Sequence, residues 1–271
     1  MKRRSVSACS RAALAAAAIA AVGLTSQSWI AAADYEAVTF DRLAGAQNDP
    51  GWLTYYRTYS GQSHSPAKQI DPSNVSKLGI AWTYKFPAEL KQGFEATPIV
   101  NGRYLFVSTP KDNVYAFDAI TGKALWKFEP KLGPEAFKNA CCDVVNRGVA
   151  LYGKNVYIAM LDGEVVALDA QTGTVAWKKR MFDPGVGYAF SLAPLAIDGA
   201  IVVGNSGGEY GARGFIAALD PENGNVLWKR VTIPSQKEKG GETWPDGMQE
   251  HGGGASWLTG TYDPVSKTLY W

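Results

Sequence analysis

Cys141 and Cys142 stand side by side, and Arg147 follows five residues later in Cys141-Cys142-Asp143-Val144-Val145-Asn146-Arg147. Adjacent cysteines bond to one another only by closing an eight-membered ring, with their Cα atoms about 3.8 Å apart, closer than ordinary disulfides tolerate. Such a bond staples a fold poorly but forms a flat, rigid platform for a ligand. Two separate buried thiols are the alternative, because free cysteine packs well in cores. Arg147 is a planar fork able to hold paired oxygens, or to pair Asp143 nearby. A second group is the loop Ser206-Gly207-Gly208-Glu209-Tyr210-Gly211, where glycines allow close backbone approach beside one carboxylate. Glu95, between Phe94 and Ala96, reads from its neighbours as a solvated turn residue. His64 and His251 are the only histidines and lie far apart, so both are expected in structural or loop roles. No serine-nucleophile elbow, phosphate loop or zinc pattern is found.

The elements that must position these residues repeat. Asp118, Asp169 and Asp220 recur at intervals of 51, as do Gly122, Gly173 and Gly224, and Trp126, Trp177 and Trp228. Each copy reads as strand, turn, strand, with the Asp bonding the turn backbone and the Gly supplying a positive φ. In the second copy strands are expected near 148–152, 156–160, 164–169 and 174–179. Four strands per repeat make the blade of a β-propeller, and Trp82 is expected to be the equivalent tryptophan one blade earlier. From Met160 to Val165 is five positions and from Gly204 to Ile216 twelve, so about seven extra residues should sit in the third copy's turn, around Glu209. Added loops on rigid scaffolds are where function tends to be placed.

Residues 1–33 read as a secretory signal: a basic start at Lys2, Arg3, Arg4 and Arg11, an apolar run from Ala12 to Leu24, and Ala31-Ala32-Ala33 before Asp34. An uncleaved anchor is the rival reading. Cleavage removes four of the 27 basic residues, leaving 23 against 25 acidic ones and a formal charge of −2. That balance, with no basic stripe, excludes nucleic acid as a partner. Cys9 leaves with the signal, and an even cysteine pair in an exported chain favours oxidation. No transmembrane segment is expected after cleavage.

Four segments taken together, Gln92-Gly93-Phe94-Glu95-Ala96-Thr97-Pro98, the Cys141 to Arg147 run, the Ser206 to Gly211 loop and His251-Gly252-Gly253-Gly254-Ala255-Ser256-Trp257, resemble the pyrroloquinoline-quinone-dependent alcohol dehydrogenases from about Asp41 onward. The resemblance implies an all-β, eight-bladed propeller, with 34–271 as its N-terminal half of roughly four blades. It implies a quinone held between Trp257 and a vicinal Cys141–Cys142 disulfide, contacted by Glu95, Arg147, Ser191, Ser206, Gly207 and Gly208. Ser191 stands where the family usually has threonine. Glu209 would bind Ca²⁺ or a lanthanide. Ala255 replaces a frequent threonine, so one cofactor hydrogen bond would be either missing or supplied by Ser256. The family's metal-binding asparagine and aspartate base would lie beyond Trp271, so 34–271 alone should not turn over. Its uncovered sheet edges should also make it poorly soluble.

The implied reaction oxidises a small alcohol in the periplasm. The metal polarises the quinone carbonyl, an aspartate takes the alcohol proton, hydride passes to the quinone, and electrons leave singly to a cytochrome c. A homodimer is an allowed assembly. Two other readings compete. A non-catalytic propeller scaffold for protein assembly, of the outer-membrane lipoprotein kind, needs a cysteine just after the apolar run, and Cys9 precedes it. A membrane-tethered sugar-oxidising quinoprotein generally lacks the vicinal cysteines.

Overall fold

The computed structural model describes residues 35–87, 93–138, 140 and 143–271. The signal reading of 1–33, Gln92 and the Cys141–Cys142 pair lie outside the described residues.

Three four-stranded antiparallel sheets follow one another along the chain. The first is β1 (Ile99–Asn101), β2 (Tyr104–Ser108), β3 (Val114–Asp118) and β4 (Ala124–Phe128). The second is β5 (Ala150–Tyr152), β6 (Asn155–Ala159), β7 (Glu164–Asp169) and β8 (Val175–Arg180). The third is β9 (Leu195–Ile197), β10 (Ala200–Gly204), β11 (Phe215–Leu219) and β12 (Val226–Val231). A two-stranded sheet, β13 (Thr261–Asp263) with β14 (Thr268–Tyr270), comes last. Each four-stranded sheet pairs its strands in chain order, which is the blade expected from the repeat. Three blades are therefore complete among the described residues, where roughly four were expected.

Blade packing explains the strand compositions. The middle strands are buried on both faces: Val114–Asp118 and Ala200–Gly204 are buried at every position. The fourth strands are largely exposed and carry the cations, as in Val175–Arg180. Ala116, Ala167 and Ala218 each face the tryptophan of the fourth strand across the ladder, and a register shift follows each of them. One extra residue, Leu125, Ala176 or Leu227, thus bulges from the fourth strand at the same place in every blade, which locally increases the twist.

That tryptophan docks onto the next blade. Trp82 Nε1 donates to Ala119 O at 3.0 Å, Trp126 Nε1 to Ala170 O at 2.9 Å and Trp177 Nε1 to Pro221 O at 2.9 Å. Each ring lies on the turn glycine beside its acceptor. A Cβ on Gly122, Gly173 or Gly224 would meet the ring at 2.5–2.7 Å, and all three glycines have φ near +70°. The turn aspartates behave as expected, with Asp118 and Asp169 Oδ1 each accepting from the backbone N–H three residues on at 2.8 Å. Trp82 keeps this role although it lies in extended chain outside any strand.

Antiparallel pairing also decides where a site can form. The start of a blade's first strand, the turn between its second and third, and the end of its fourth share one end of the sheet. Residues 94–98, 109–113, 143–149, 160–163, 186–194, 205–214 and 253–259 all belong to such connections. The third-blade loop is longer, as expected. The ladder pairs Gly204 with Ile216 and Ala159 with Val165, so the excess is six residues rather than seven.

Candidate active site

At this end of the blades a cavity of about 110 Å³ is lined by Ala140, Asp143, Val145, Arg147, Leu161, Ala189, Ser191, Ser206, Gly207, Glu209, Ala255 and Trp257. Six residues predicted from sequence are among them, contributed by both later blades and the segment after the third. The residues immediately flanking the cysteine pair, Ala140 and Asp143, line it too.

Arg147 is the hinge of the arrangement. Its side chain is only 11% exposed. One guanidinium nitrogen pairs with Glu95 Oε2 at 2.7 Å and another donates to Ser191 O at 3.1 Å. Its Cζ stands 4.8 Å from the centre of the Trp257 ring. The partner is Glu95, not Asp143, whose carboxylate accepts from the neighbouring Val144 N–H at 2.8 Å with its own φ at +68°. Backbone bonds fix the segment: Arg147 N donates to Ser191 O and Thr97 N donates to Arg147 O, both at 3.2 Å. The ion pair therefore joins three consecutive connections. Tyr55 shares this field; its phenol is raised chiefly by burial, with Glu95 raising it and Arg147 lowering it.

The third-blade loop presents the acidic side. Ser206 is anchored to Ala189 O through both its N–H and its hydroxyl, each at 2.9 Å. A hydroxyl that has donated its proton keeps lone pairs for a further donor. Gly207 has φ +101°, and a Cβ there would lie 1.8 Å from Gly187 O, so only glycine fits. Its left-handed turn leads into a single 3₁₀ turn, Gly208–Tyr210, that carries Glu209 to the cavity. Glu209 is exposed, and among the described residues nothing bonds its carboxylate. Gly208 packs instead against Gly253 and Ala255 and does not line the cavity.

One of the two alternatives for the missing threonine closes. Ser256 does not supply a bond to this cavity: it is buried, and its hydroxyl donates to Phe215 O at 2.5 Å behind the wall. His64 and His251 are exposed and line no part of it, which agrees with their loop roles. The sequence reading missed Asp112 and assigned no role to Asn146. Both are buried, and Asp112 bonds Asn146, the residue before Arg147. Lys111-Asp112-Asn113 looks like any polar turn, and nothing in its composition announces burial.

The donor set suits a flat, oxygen-rich ring. Trp257 is 42% exposed and its face takes a planar guanidinium, so a planar π system is an acceptable partner. Arg147 suits carboxylate oxygens, the Ser206 hydroxyl with its proton given to Ala189 O suits a donor, and a free carboxylate at Glu209 is a hard oxygen ligand for a cation of the Ca²⁺ kind. Among the described residues no group of three or more metal-binding side chains occurs. Glu209 alone would thus need oxygens from the ring and from elsewhere. No helix among the described residues is long and apolar enough to cross a membrane.

Residues 52–271 match the model of the PQQ glucose/ethanol/alcohol dehydrogenase β-propeller domain. The chain is 38% identical over 251 residues to the quinohemoprotein alcohol dehydrogenase ADH IIB of Pseudomonas putida, covering 89% of this chain and 36% of that protein. It is 40% identical over 242 residues to ADH-IIG of the same species, covering 84% and 33%. Among solved structures, ADHIIG from Pseudomonas putida HK5 superposes with a TM-score of 0.82 at 39% identity, covering 88% of this chain and 36% of that one. A europium-containing methanol dehydrogenase superposes with a TM-score of 0.77 at 32% identity, covering 83% and 42%. The chain thus spans a little over a third of the length of the relatives it matches. With the family's β-propeller model matching from Trp52 to Trp271 and the blades folding as that family's do, this chain belongs to the pyrroloquinoline-quinone-dependent alcohol dehydrogenase family.

Proposed function

We propose that the protein carrying this chain is a periplasmic quinoprotein that oxidises small primary alcohols to aldehydes and passes the electrons to a cytochrome c. The observation that carries the reading is the single cavity gathering Trp257, Arg147, Ser191, Ser206, Gly207 and Glu209 with both neighbours of the cysteine pair. Its order of parts is that of a vise for a planar cofactor. Trp257 forms one wall, and the Cys141–Cys142 disulfide, which lies outside the described residues, would form the other. Arg147 would hold carboxylates at the rim, with Ser191 behind the guanidinium, and the Ser206 hydroxyl would accept from a donor on the cofactor. Glu95 orients Arg147 and keeps its charge from lying unpaired when the rim is half solvated. Glu209 would hold the metal ion, and calcium or a lanthanide both suit a hard carboxylate oxygen. The europium in the name of the methanol dehydrogenase belongs to that protein and supports the metal class here.

When bound, pyrroloquinoline quinone accepts the hydride equivalent that no protein side chain can take. The chain's own residues bind, orient and shield it. Pyrroloquinoline quinone and a metal ion, added to the full-length protein with a primary alcohol, should support reduction of an artificial electron-acceptor dye. Glu209→Ala should abolish the metal dependence while leaving the fold intact by circular dichroism. Undiminished metal-dependent dye reduction in that variant would remove the assignment of Glu209.

A further inference from the structure

Below the cavity floor lies a carboxylate that none of the roles above uses. Asp112 sits in the β2–β3 turn and is completely buried. Its Oδ2 accepts from Leu161 N at 2.7 Å and its Oδ1 from Asn146 Nδ2 at 2.8 Å. Leu161 belongs to the β6–β7 turn and lines the cavity; Asn146 immediately precedes Arg147. The same Asn146 amide donates to Ala159 O at 3.1 Å, and its oxygen accepts from Gly148 N at 3.1 Å, so the side chain spans both flanks of Arg147. Lys111 N donates to Val144 O at 2.9 Å and secures the loop a second time. Lys111 and Asp112 both hold left-handed backbone, at φ +64° and +59°. Two successive non-glycine residues there cost stability, and the surrounding contacts must over-determine them.

We propose that Asp112 is the positioning residue for Arg147, its carboxylate clamping Asn146 and the β6–β7 turn so that the guanidinium is held over Trp257 and against Glu95. Both of its described partners are N–H donors, so the clamp needs the ionised, acceptor-only carboxylate. A protonated carboxyl would turn an O–H toward a donor. Burial opposes ionisation and, with Asp162 of the β6–β7 turn adding a like charge, raises the group to about 7. Among the described residues no cation pairs with it. An isolated buried charge that is costly to keep, and whose bonds run to the residue before a functional arginine and to a turn that lines the arginine's cavity, has a use beyond cohesion.

The inference rests on the quinone-binding role of Arg147, and the test separates the two. In the full-length, quinone-free protein, phenylglyoxal labelling of Arg147 read by peptide mass mapping should be slow. Asp112→Asn and Asn146→Ala should each accelerate it about tenfold, the scale of one lost charge-assisted hydrogen bond. Other arginines should label at unchanged rates. Affinity for pyrroloquinoline quinone, followed by tryptophan quenching, should fall by a similar factor in Asp112→Asn. It should fall no further when Asp112→Asn is added to Arg147→Lys, because both changes remove the same interaction. Unaltered labelling in folded variants, or a loss that multiplies fully with Arg147→Lys, overturns the proposal. If Asp112→Asn does not fold, Asn146→Ala decides by the same labelling. A wild-type protein that fails to bind the quinone refutes the cofactor reading, while the labelling still decides whether Asp112 positions Arg147.

Discussion

Gly173→Ala should destabilise the protein more than Gly153→Ala, and the difference measures the tryptophan dock. Both glycines hold left-handed backbone, at φ +71° and +58°. An L-alanine in that region costs about 1–2 kcal/mol at either site. Their surroundings differ. A Cβ on Gly153 meets nothing within 4 Å, whereas one on Gly173 would stand 2.6 Å from Trp126 Cε3 and 2.7 Å from Cδ2. The ring must move. Its Nε1 bond to Ala170 O is then lost, at about 1 kcal/mol. Re-exposing roughly 50 Å² of a ring that buries about 200 Å² adds about 1 kcal/mol more at 25 cal/mol/Å². Gly173→Ala should therefore cost about 3–4 kcal/mol against about 1–2 for Gly153→Ala.

Urea unfolding of the full-length variants, each compared with wild type at one pH, reads this difference as a shift in midpoint at constant slope. A Trp126→Ala background supplies the control, because there Gly173→Ala should cost only its backbone strain. Equal midpoints for Gly153→Ala and Gly173→Ala in the wild-type background would refute the reasoning. The recurring Trp and Gly pairs would then be a sequence habit with no energetic content between blades.

Asp112 gives stability a definite pH dependence. Its carboxyl titrates near 7 when folded and near 3.8 when not, so between those values the folded state holds the extra proton and stability falls as pH rises. The full span corresponds to about 4 kcal/mol at 1.36 kcal/mol per pH unit. Asp112→Asn should flatten the decline between pH 4.5 and 7.5 in urea titrations; an unchanged slope would show that this group does not carry it. Asp162 is raised in the same direction, mainly by burial, and should leave a smaller residual slope. Ser256→Ala removes the bond to Phe215 O and should lower stability by about 1 kcal/mol. Quinone affinity should be untouched, and a loss of affinity would return Ser256 to the cavity wall.

The fold was legible because the blade is a repeat. A period of 51 residues placed the aspartate, glycine and tryptophan of each turn before any coordinate was needed, and the strands of the second blade fell within two residues of their expected bounds. What a repeat cannot convey is which copy is complete, and β13 and β14 remain a pair. The site was legible to the extent that its residues depart from the repeat: Glu209 in the long loop, Arg147 beside the adjacent cysteines. Partnership was harder to read. Arg147 and Glu95 are 52 positions apart in the sequence, and no spacing rule links them. They meet because each precedes the first strand of its blade, and consecutive blades bring those connections together.

Asp112 shows where composition misleads. A Lys-Asp-Asn triplet between two strands has the polarity of a solvated turn, and in an isolated hairpin it would be one. Its burial arises only when the next blade's turn and the Val144 to Gly148 segment close over it, a tertiary event without local signature. The same closure brings Leu161 N and Asn146 Nδ2 to its two oxygens. Polar residues at this end of a propeller therefore divide by depth. Those at the rim, such as Glu209, remain free to bind, while those one layer down are consumed in holding the rim still. Sequence motifs pick out the first kind, since ligand chemistry constrains residue type there. The second kind must be found from burial and bond partners, and in this chain it bonds the residue next to the arginine on which the proposed vise depends.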